Sequence, residues 1–219
     1  AVVYRVNPSC AYSLKQSGIT KPQDFIGKTV GLHRGTNSDT LYAAMMSKLR
    51  INRSMIREVT IGFDATEILN GSTDVSTGYV INEPNQVMMK GEEVNTILFA
   101  EYGMNMYSDV IIATEDTLKK NPELVEDFLR ATLEGWQYAI EHEDEAIAIT
   151  MKYVTNGTRD HDAYMLHQSV PLIDPGDKHL GWMEKEKWEH VQDILLDQKL
   201  LERPMAIDQA YDLKFLERV

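Results

Sequence analysis

Apolar and polar positions follow one rhythm up to about residue 113 and another beyond it. In the first part, short apolar runs bounded by Gly, Pro and Asn read as strands at residues 2–6, 29–32, 55–61, 74–81, 95–100 and 110–113. Two helical stretches lie among them. Residues 40–49 repeat Leu41, Met45 and Leu49 at every fourth position with Ala44 alongside, and residues 64–71 form a shorter helix that stops at Gly71. Strand, glycine turn and helix in succession make βαβ-like units, which predict a parallel α/β sheet with ligand positions at the strand ends. The opening strand ends at Asn7-Pro8-Ser9, which reads as a turn whose polar side chains are also able to face a cleft. Beyond Thr114 the period becomes helical. Asn121-Pro122 is a capped helix start, and Leu124, Val125, Phe128, Leu129, Leu133, Trp136, Ala139 and Ile140 make a broad stripe predicted to be core. Further helices are predicted at 143–153, 159–170, 184–198 and 208–216.

Composition narrows what these elements can serve. With 219 residues, 43% hydrophobic and 26% charged, the chain has the make-up of a folded globular protein, one large domain or two small lobes. Lys and Arg number 22 against 34 Asp and Glu, and the net charge of -12 repels a phosphate backbone and anionic lipid alike, so nucleic acid is excluded as an expected partner. No stretch approaches the roughly 20 apolar residues that span a bilayer. The single cysteine, Cys10, cannot close an internal disulfide and leaves the redox compartment open. The chain opens on Ala1-Val2-Val3-Tyr4-Arg5, a strand already under way with no basic leader, so the expectation is a mature, truncated or partial chain.

Candidate chemistry concentrates in Gly78-Tyr79-Val80-Ile81-Asn82-Glu83-Pro84, where a ring, an amide and a carboxylate stand on an apolar run that Pro84 stops. Its expected partner is the turn Gly35-Thr36-Asn37-Ser38 before a helix, whose first-turn N–H groups are open to a ligand oxygen. That turn reads equally as plain structure, since it lacks the spacing of a nucleotide or dinucleotide loop. His161, Asp162 and His167 do not have metal-ligand spacing, and a surface helix explains them. Cys10 has no histidine partner in the pattern, no Gly-x-Ser-x-Gly elbow is present, and the acidic runs at Glu92-Glu93 and 141–145 read as solvated faces. No catalytic residue, metal or cofactor is assigned.

Taken together, Ser17-Gly18-Ile19, Asp24-Phe25-Ile26-Gly27-Lys28-Thr29-Val30-Gly31, Gly35-Thr36, Leu69-Asn70-Gly71-Ser72-Thr73-Asp74, Gly78 to Pro84 and Tyr102-Gly103 resemble the solute-binding proteins of bacterial ABC importers. More narrowly, they are similar to the branch related to thiamine-pyrimidine precursor synthesis and uptake. The resemblance implies an α/β fold of the type II periplasmic-binding kind, two lobes joined by crossover strands with the ligand trapped between them. By motif, 1–17 is a remnant of lobe 1 with a crossover, 18–104 is lobe 2, and 105–219 is the second crossover and a mostly helical return to lobe 1, which leaves the first lobe incomplete at its N-terminus. The family's pyrimidine binders use the tyrosine and glutamate of the Gly-Tyr-x-x-Asn-Glu motif, here Tyr79 to stack on the ring and Glu83 to accept from an exocyclic amine. Asn82 is expected to hold the loop, and Asn7, Tyr107 and Asp109 to face the cleft. The implied function is non-enzymatic capture of an aminopyrimidine-like thiamine precursor by a monomer that delivers it to a membrane permease, outside the cytoplasm or on a lipid anchor. A flavin or a small anion such as a sulfonate is the alternative ligand. The family also holds a thiamine-pyrimidine-forming enzyme, whose cysteine-rich motif is absent here.

Overall fold

The computed structural model describes residues 1–219 and divides them into two compact units. One is a sheet unit, Pro8–Asn105 with Asp197–Leu200; the other is a mostly helical unit, Ala1–Asn7, Met106–Leu196 and Leu201–Val219. The first passage between them falls at Asn7 and Pro8.

The helical unit starts with β1 (Val2–Tyr4), and the chain then enters the sheet unit. There it runs through β2 (Ser9–Leu14), β3 (Thr29–Leu32), α1 (Asn37–Lys48), β4 (Arg57–Thr60), α2 (Thr66–Leu69), β5 (Val75–Tyr79), α3 (Glu83–Met88) and β6 (Val94–Leu98). The sheet order is β4-β3-β5-β2-β6. β3 pairs in parallel with β4 and β5, as the βαβ pattern predicts, but β2 runs antiparallel to both β5 and β6, so the sheet is mixed rather than parallel. The apolar pattern predicts a turn at Asn7-Pro8-Ser9 and no strand after it, yet β2 begins at Ser9. Ser-Cys-Ala-Tyr-Ser is buried on both faces in an interior position of the sheet, so it shows neither the alternation nor the β-branched run that marks a strand. Cys10 and Tyr12 pack with Ala65, Ile68 and Val87, which brings α2 and α3 onto the sheet. Leu41, Met45 and Met46 of α1 are fully buried, and Phe25 stacks on Tyr42 with ring centroids 6.5 Å apart.

In the helical unit β1 pairs antiparallel with β7 (Ser108–Val110), matching Val2 to Val110 and Tyr4 to Ser108. The strand expected over 110–113 thus leaves the ladder after Val110. Five helices follow, α4 (Glu115–Lys120), α5 (Pro122–Glu141), α6 (Glu143–Thr150), α7 (Arg159–Ile173) and α8 (Lys185–Asp197). The helix expected at 208–216 is only the short 3-10 turns Ile207–Gln209 and Leu216–Arg218. Val2, Tyr107 and Met183 form one core cluster with Trp188, Tyr211 and Leu213 against it. Arg5, almost wholly buried, pairs with Asp177 at 2.5 Å and Glu184 at 3.3 Å, and Lys187 donates to its carbonyl. The stripe of α5 departs from expectation, since Leu129 is the one residue of that helix that is fully inside. No helix is long and apolar enough to cross a membrane.

Candidate functional site

In the sheet unit the carboxyl ends of β3, β4, β5 and β6 and the start of β2 share one edge, because β2 alone runs the other way and Ser9 pairs with Tyr79 while Cys10 pairs with Leu98. Open α/β sheets bind ligands outside the carboxyl ends of their strands. That edge collects both stretches singled out in the sequence. The turn after β3 carries Gly35 in the left-handed region at φ 77°, which L side chains adopt at a cost. It opens α1, which starts earlier than the sequence period indicates; Thr36 is its N-cap residue but makes no side-chain cap, and the Thr36 hydroxyl donates instead to the His33 carbonyl at 2.7 Å. Asn37 is half-buried, and Ser38 is buried and shares a hydrogen bond of 3.1 Å with Ser9 across the edge. Asp39 takes the Gly35 amide at 3.1 Å and pairs with Arg34 at 3.0 Å, and Arg34 continues to Glu58 at 2.7 Å. A charged pair thus flanks the turn.

The Gly78 to Pro84 stretch behaves differently from its expected role in one respect. β5 ends at Tyr79, whose half-buried side chain stands at the edge, and the chain turns directly into α3 with Pro84 in its first turn. Glu83 folds back. Only 5% exposed, its carboxylate accepts the Tyr79 N–H at 2.8 Å, and it lies so close over the strand that a Cβ on Gly78 would meet Oε2 at 2.8 Å and Tyr12 Cε1 at 3.1 Å. Glycine at 78 is therefore what lets the carboxylate seat. Asn82 accepts from the Gln86 amide at 3.0 Å and so steadies the same turn. Burial first, and Glu83 second, push the Cys10 thiol and the Tyr12 hydroxyl well above their ordinary pKa, so Cys10 stays a protonated, inaccessible thiol near neutral pH.

Three further candidates belong to the helical unit. Asn7 is fully buried there; Tyr107 is buried with its hydroxyl accepting the Glu184 N–H at 2.8 Å and the Lys187 ammonium 4.6 Å from its ring centroid; Asp109 is exposed at φ 53°. Tyr107 is thus engaged in packing. No group of three or more His, Cys, Asp or Glu is placed to hold a metal, and His161, Asp162 and His167 lie along α7.

The structure adds residues at the edge that the sequence reading passed over. His33, at the end of β3, is buried, bonds through Nε2 to the Gly62 carbonyl at 2.6 Å, and stacks on Phe63 with centroids 4.6 Å apart and planes 7° from parallel. Phe63, three residues past β4, is 72% exposed at the same edge of the sheet, with β3 between its strand and that of Tyr79. A titratable residue directly after one strand and an aromatic three residues after the next were the available signals.

Residues 1–146, two thirds of the chain, match the family described as NMT1/THI5 like. The chain belongs to that family. Among curated relatives of this NMT1/THI5-like chain are the riboflavin-binding protein RibY of Chloroflexus aurantiacus, 26% identical over 98% of the chain and 63% of the relative, and a formylaminopyrimidine-binding protein of Halalkalibacterium halodurans, 24% identical over 90% and 62%. A 4-amino-5-hydroxymethyl-2-methylpyrimidine phosphate synthase of Legionella pneumophila is 29% identical over 95% of the chain and 66% of its own length. The chain thus spans less than two thirds of each of these relatives. The periplasmic sulfonate-binding protein SsuA from Methylobacillus flagellatus superposes with a TM-score of 0.67 at 15% identity, covering 99% of this NMT1/THI5-like chain and 67% of that one. The fold is thus mixed α/β of the type II periplasmic-binding kind.

Proposed function

We propose that this chain belongs to the solute-binding component of an ABC-type importer and captures a small heteroaromatic of the aminopyrimidine class. The reading rests on the strand-end edge of the sheet unit, where the half-buried Tyr79 ring, the exposed Phe63 face and the buried hydroxyl pair Ser9 and Ser38 stand around one rim. Aromatic faces stack on a heteroaromatic for about 0.5–1.5 kcal/mol beyond the buried area, and the hydroxyls supply directional bonds. Glu83 acts first by holding the Tyr79 backbone, and through it the ring, rather than as a free acceptor. Relatives named for binding formylaminopyrimidine and riboflavin support a planar nitrogen heterocycle. A binding role rather than catalysis is supported by these same relatives, whose names are those of binding proteins. In this reading the partner is a membrane permease, the protein works outside the cytoplasm, and it does so as a monomer.

Calorimetric titration with hydroxymethylaminopyrimidine, formylaminopyrimidine and riboflavin tests it. Heat from an aminopyrimidine that is lost in Tyr79→Ala supports the proposal, heat from riboflavin alone makes this a flavin binder, and no heat from any of them overturns it. A second reading, a small anion such as a sulfonate, is favoured by the uncapped first turn of α1, whose N–H groups suit an oxyanion. Asp39 opposes it, because its carboxylate already takes the Gly35 amide. Ethanesulfonate in the same titration decides between them.

A further inference from the structure

Phe63 is the most open large apolar side chain of the sheet unit, and it is firmly held. Its turn is pinned at three points: the Ile61 N–H donates to the Leu32 carbonyl at 3.2 Å, the Gly62 carbonyl accepts from His33 Nε2 at 2.6 Å, and the Asp64 carboxylate accepts the Thr66 N–H at 2.9 Å. The ring lies flat on the His33 imidazole, with centroids 4.6 Å apart and planes 7° from parallel. His33 is fixed in turn. It is 4% exposed, its N–H donates to the Thr77 hydroxyl at 3.4 Å, and its carbonyl takes the Thr36 hydroxyl at 2.7 Å. A carbonyl only accepts, so Nε2 carries a hydrogen, and the bond to Gly62 sets the orientation of the imidazole. One face of Phe63 is thus occupied by a buried ring, and 72% exposure leaves the other face to solvent. Singly exposed apolar side chains are ordinary on a surface. A ring fixed on one face and on both sides of its turn is instead a preorganised contact, already ordered before a ligand arrives.

We infer that Phe63, held flat by His33, is a second stacking platform of the binding edge and makes that edge selective for ring systems longer than a single pyrimidine. Tyr79 ends β5 and Phe63 follows β4, with β3 between them. Neighbouring strands lie about 4.8 Å apart, so the two platforms stand about 10 Å apart along the edge. A single six-membered ring seated on Tyr79 does not reach Phe63, whereas fused rings laid across the end of β3 do. Phe63 therefore distinguishes ligands that present the same pyrimidine ring to Tyr79 and differ in what is fused to it. His33 touches no ligand in this arrangement; it is a positioning residue that acts through the Phe63 ring. The inference rests on the strand-end edge being the binding site, and it adds which members of the heteroaromatic class that edge holds most tightly.

Calorimetric titration of the 219-residue chain tests it, with riboflavin, a pyrimidine ring fused to two more, against the single-ring hydroxymethylaminopyrimidine and formylaminopyrimidine. Phe63→Leu keeps an apolar side chain and removes the ring, and because Phe63 is exposed the variant melts close to the parent. Riboflavin affinity is expected to fall about two- to tenfold, the loss of one stacked pair, while affinity for the single rings stays unchanged. Phe63→Trp retains the riboflavin affinity. His33→Ala weakens riboflavin binding in the parent but not in Phe63→Leu, because His33 acts through that ring; equal weakening in both backgrounds overturns its positioning role. Riboflavin heat without aminopyrimidine heat is the limiting case of the selectivity and supports the inference when Phe63→Leu weakens it. Equal losses for all ligands in Phe63→Leu, no loss for any, or heat from the single rings alone overturn this inference and leave the binding edge standing. No heat from any of the ligands overturns it together with the reading it rests on.

Discussion

Replacing Glu83 by alanine removes the acceptor from a turn that has little else to offer it. The carboxylate is 5% exposed, and it takes the Tyr79 N–H at 2.8 Å where β5 passes into α3. A hydrogen bond to a charged acceptor contributes about 1.5–3 kcal/mol, and the one buried methylene that alanine lacks, Cγ, about 0.8 kcal/mol. Glu83→Ala therefore lowers stability by about 2–4 kcal/mol. Glu83→Gln keeps the stem and a carbonyl oxygen in reach of the same N–H and loses only the charge assistance, about 1 kcal/mol. At roughly 2–4 °C per kcal/mol for a chain of this size, the alanine variant melts on the order of 10 °C below the parent and the glutamine variant only a few degrees below. Far-UV circular dichroism on heating, with urea titration for the free energies, measures both. An alanine variant within about 1 kcal/mol of the parent refutes the buried-acceptor role. Equal losses for Gln and Ala would refute the hydrogen-bond argument and leave only the charge. The same pair separates structure from recognition: if a ligand amine meets the carboxylate, Glu83→Gln loses affinity although it melts only a few degrees below the parent.

Other outcomes follow from the same geometry. Gly78→Ala drives a Cβ into the Glu83 carboxylate and the Tyr12 ring and costs about 1–3 kcal/mol in urea unfolding, with Tyr79→Ala milder because its ring is half-exposed. Gly35→Ala, forced to φ 77°, costs about 1–2 kcal/mol by the same measurement and weakens ligand binding in titration if the α1 turn contacts the ligand. Hydrogen bonding from Arg5 holds the Asp177 carboxyl below its ordinary range, so Asp177's contribution is present above the unfolded carboxylate pKa and lost as pH falls through the depressed value; Arg5→Met returns that carboxyl toward its ordinary titration in carbon NMR. Burial, then the nearby Arg5 charge, lowers Lys187 to about 8 from 10.5. Between those two values the unfolded chain holds a proton that the folded one has released, so stability rises with pH across that window, and Lys187→Met flattens the rise in pH-dependent urea unfolding.

What the sequence disclosed depended on whether a stretch had one environment or two. β3 is legible as a short apolar run bounded by a glycine turn although it is buried almost throughout, α1 is legible by its four-residue period, and the motif at Gly78 to Pro84 lies at a strand end. β2 was hidden because Ser9, Cys10, Ala11, Tyr12 and Ser13 are buried together, and small polar residues within a sheet carry no alternation. α3 was hidden by Pro84, which breaks a helix in its interior but suits its first turn. Glu83 carries a backbone contact that its residue type does not state. Its residue type and place in the chain are those of a ligand acceptor, but only the backbone path shows the side chain returning to the Tyr79 amide. Phe63 and His33 went unnoticed because their meeting depends on β4 lying beside β3, which no local pattern states. The α5 stripe was read correctly as apolar and wrongly as enclosed, since a periodicity reports what a face is made of, not what covers it.

The pairing of β1 with β7 also sets an order in time. The apolar strand Val2–Tyr4 is among the first residues synthesised in this span, and its partner Ser108–Val110 emerges only after the whole of Pro8–Asn105. At about 5–20 residues per second, β1 waits on the order of 5–20 s for that partner. The sheet unit has all five of its strands within that interval and can close first. Within this span the sheet unit thus closes before β1 finds β7, and the interval before Ser108 appears is when Val2–Tyr4 is open to the wrong partner.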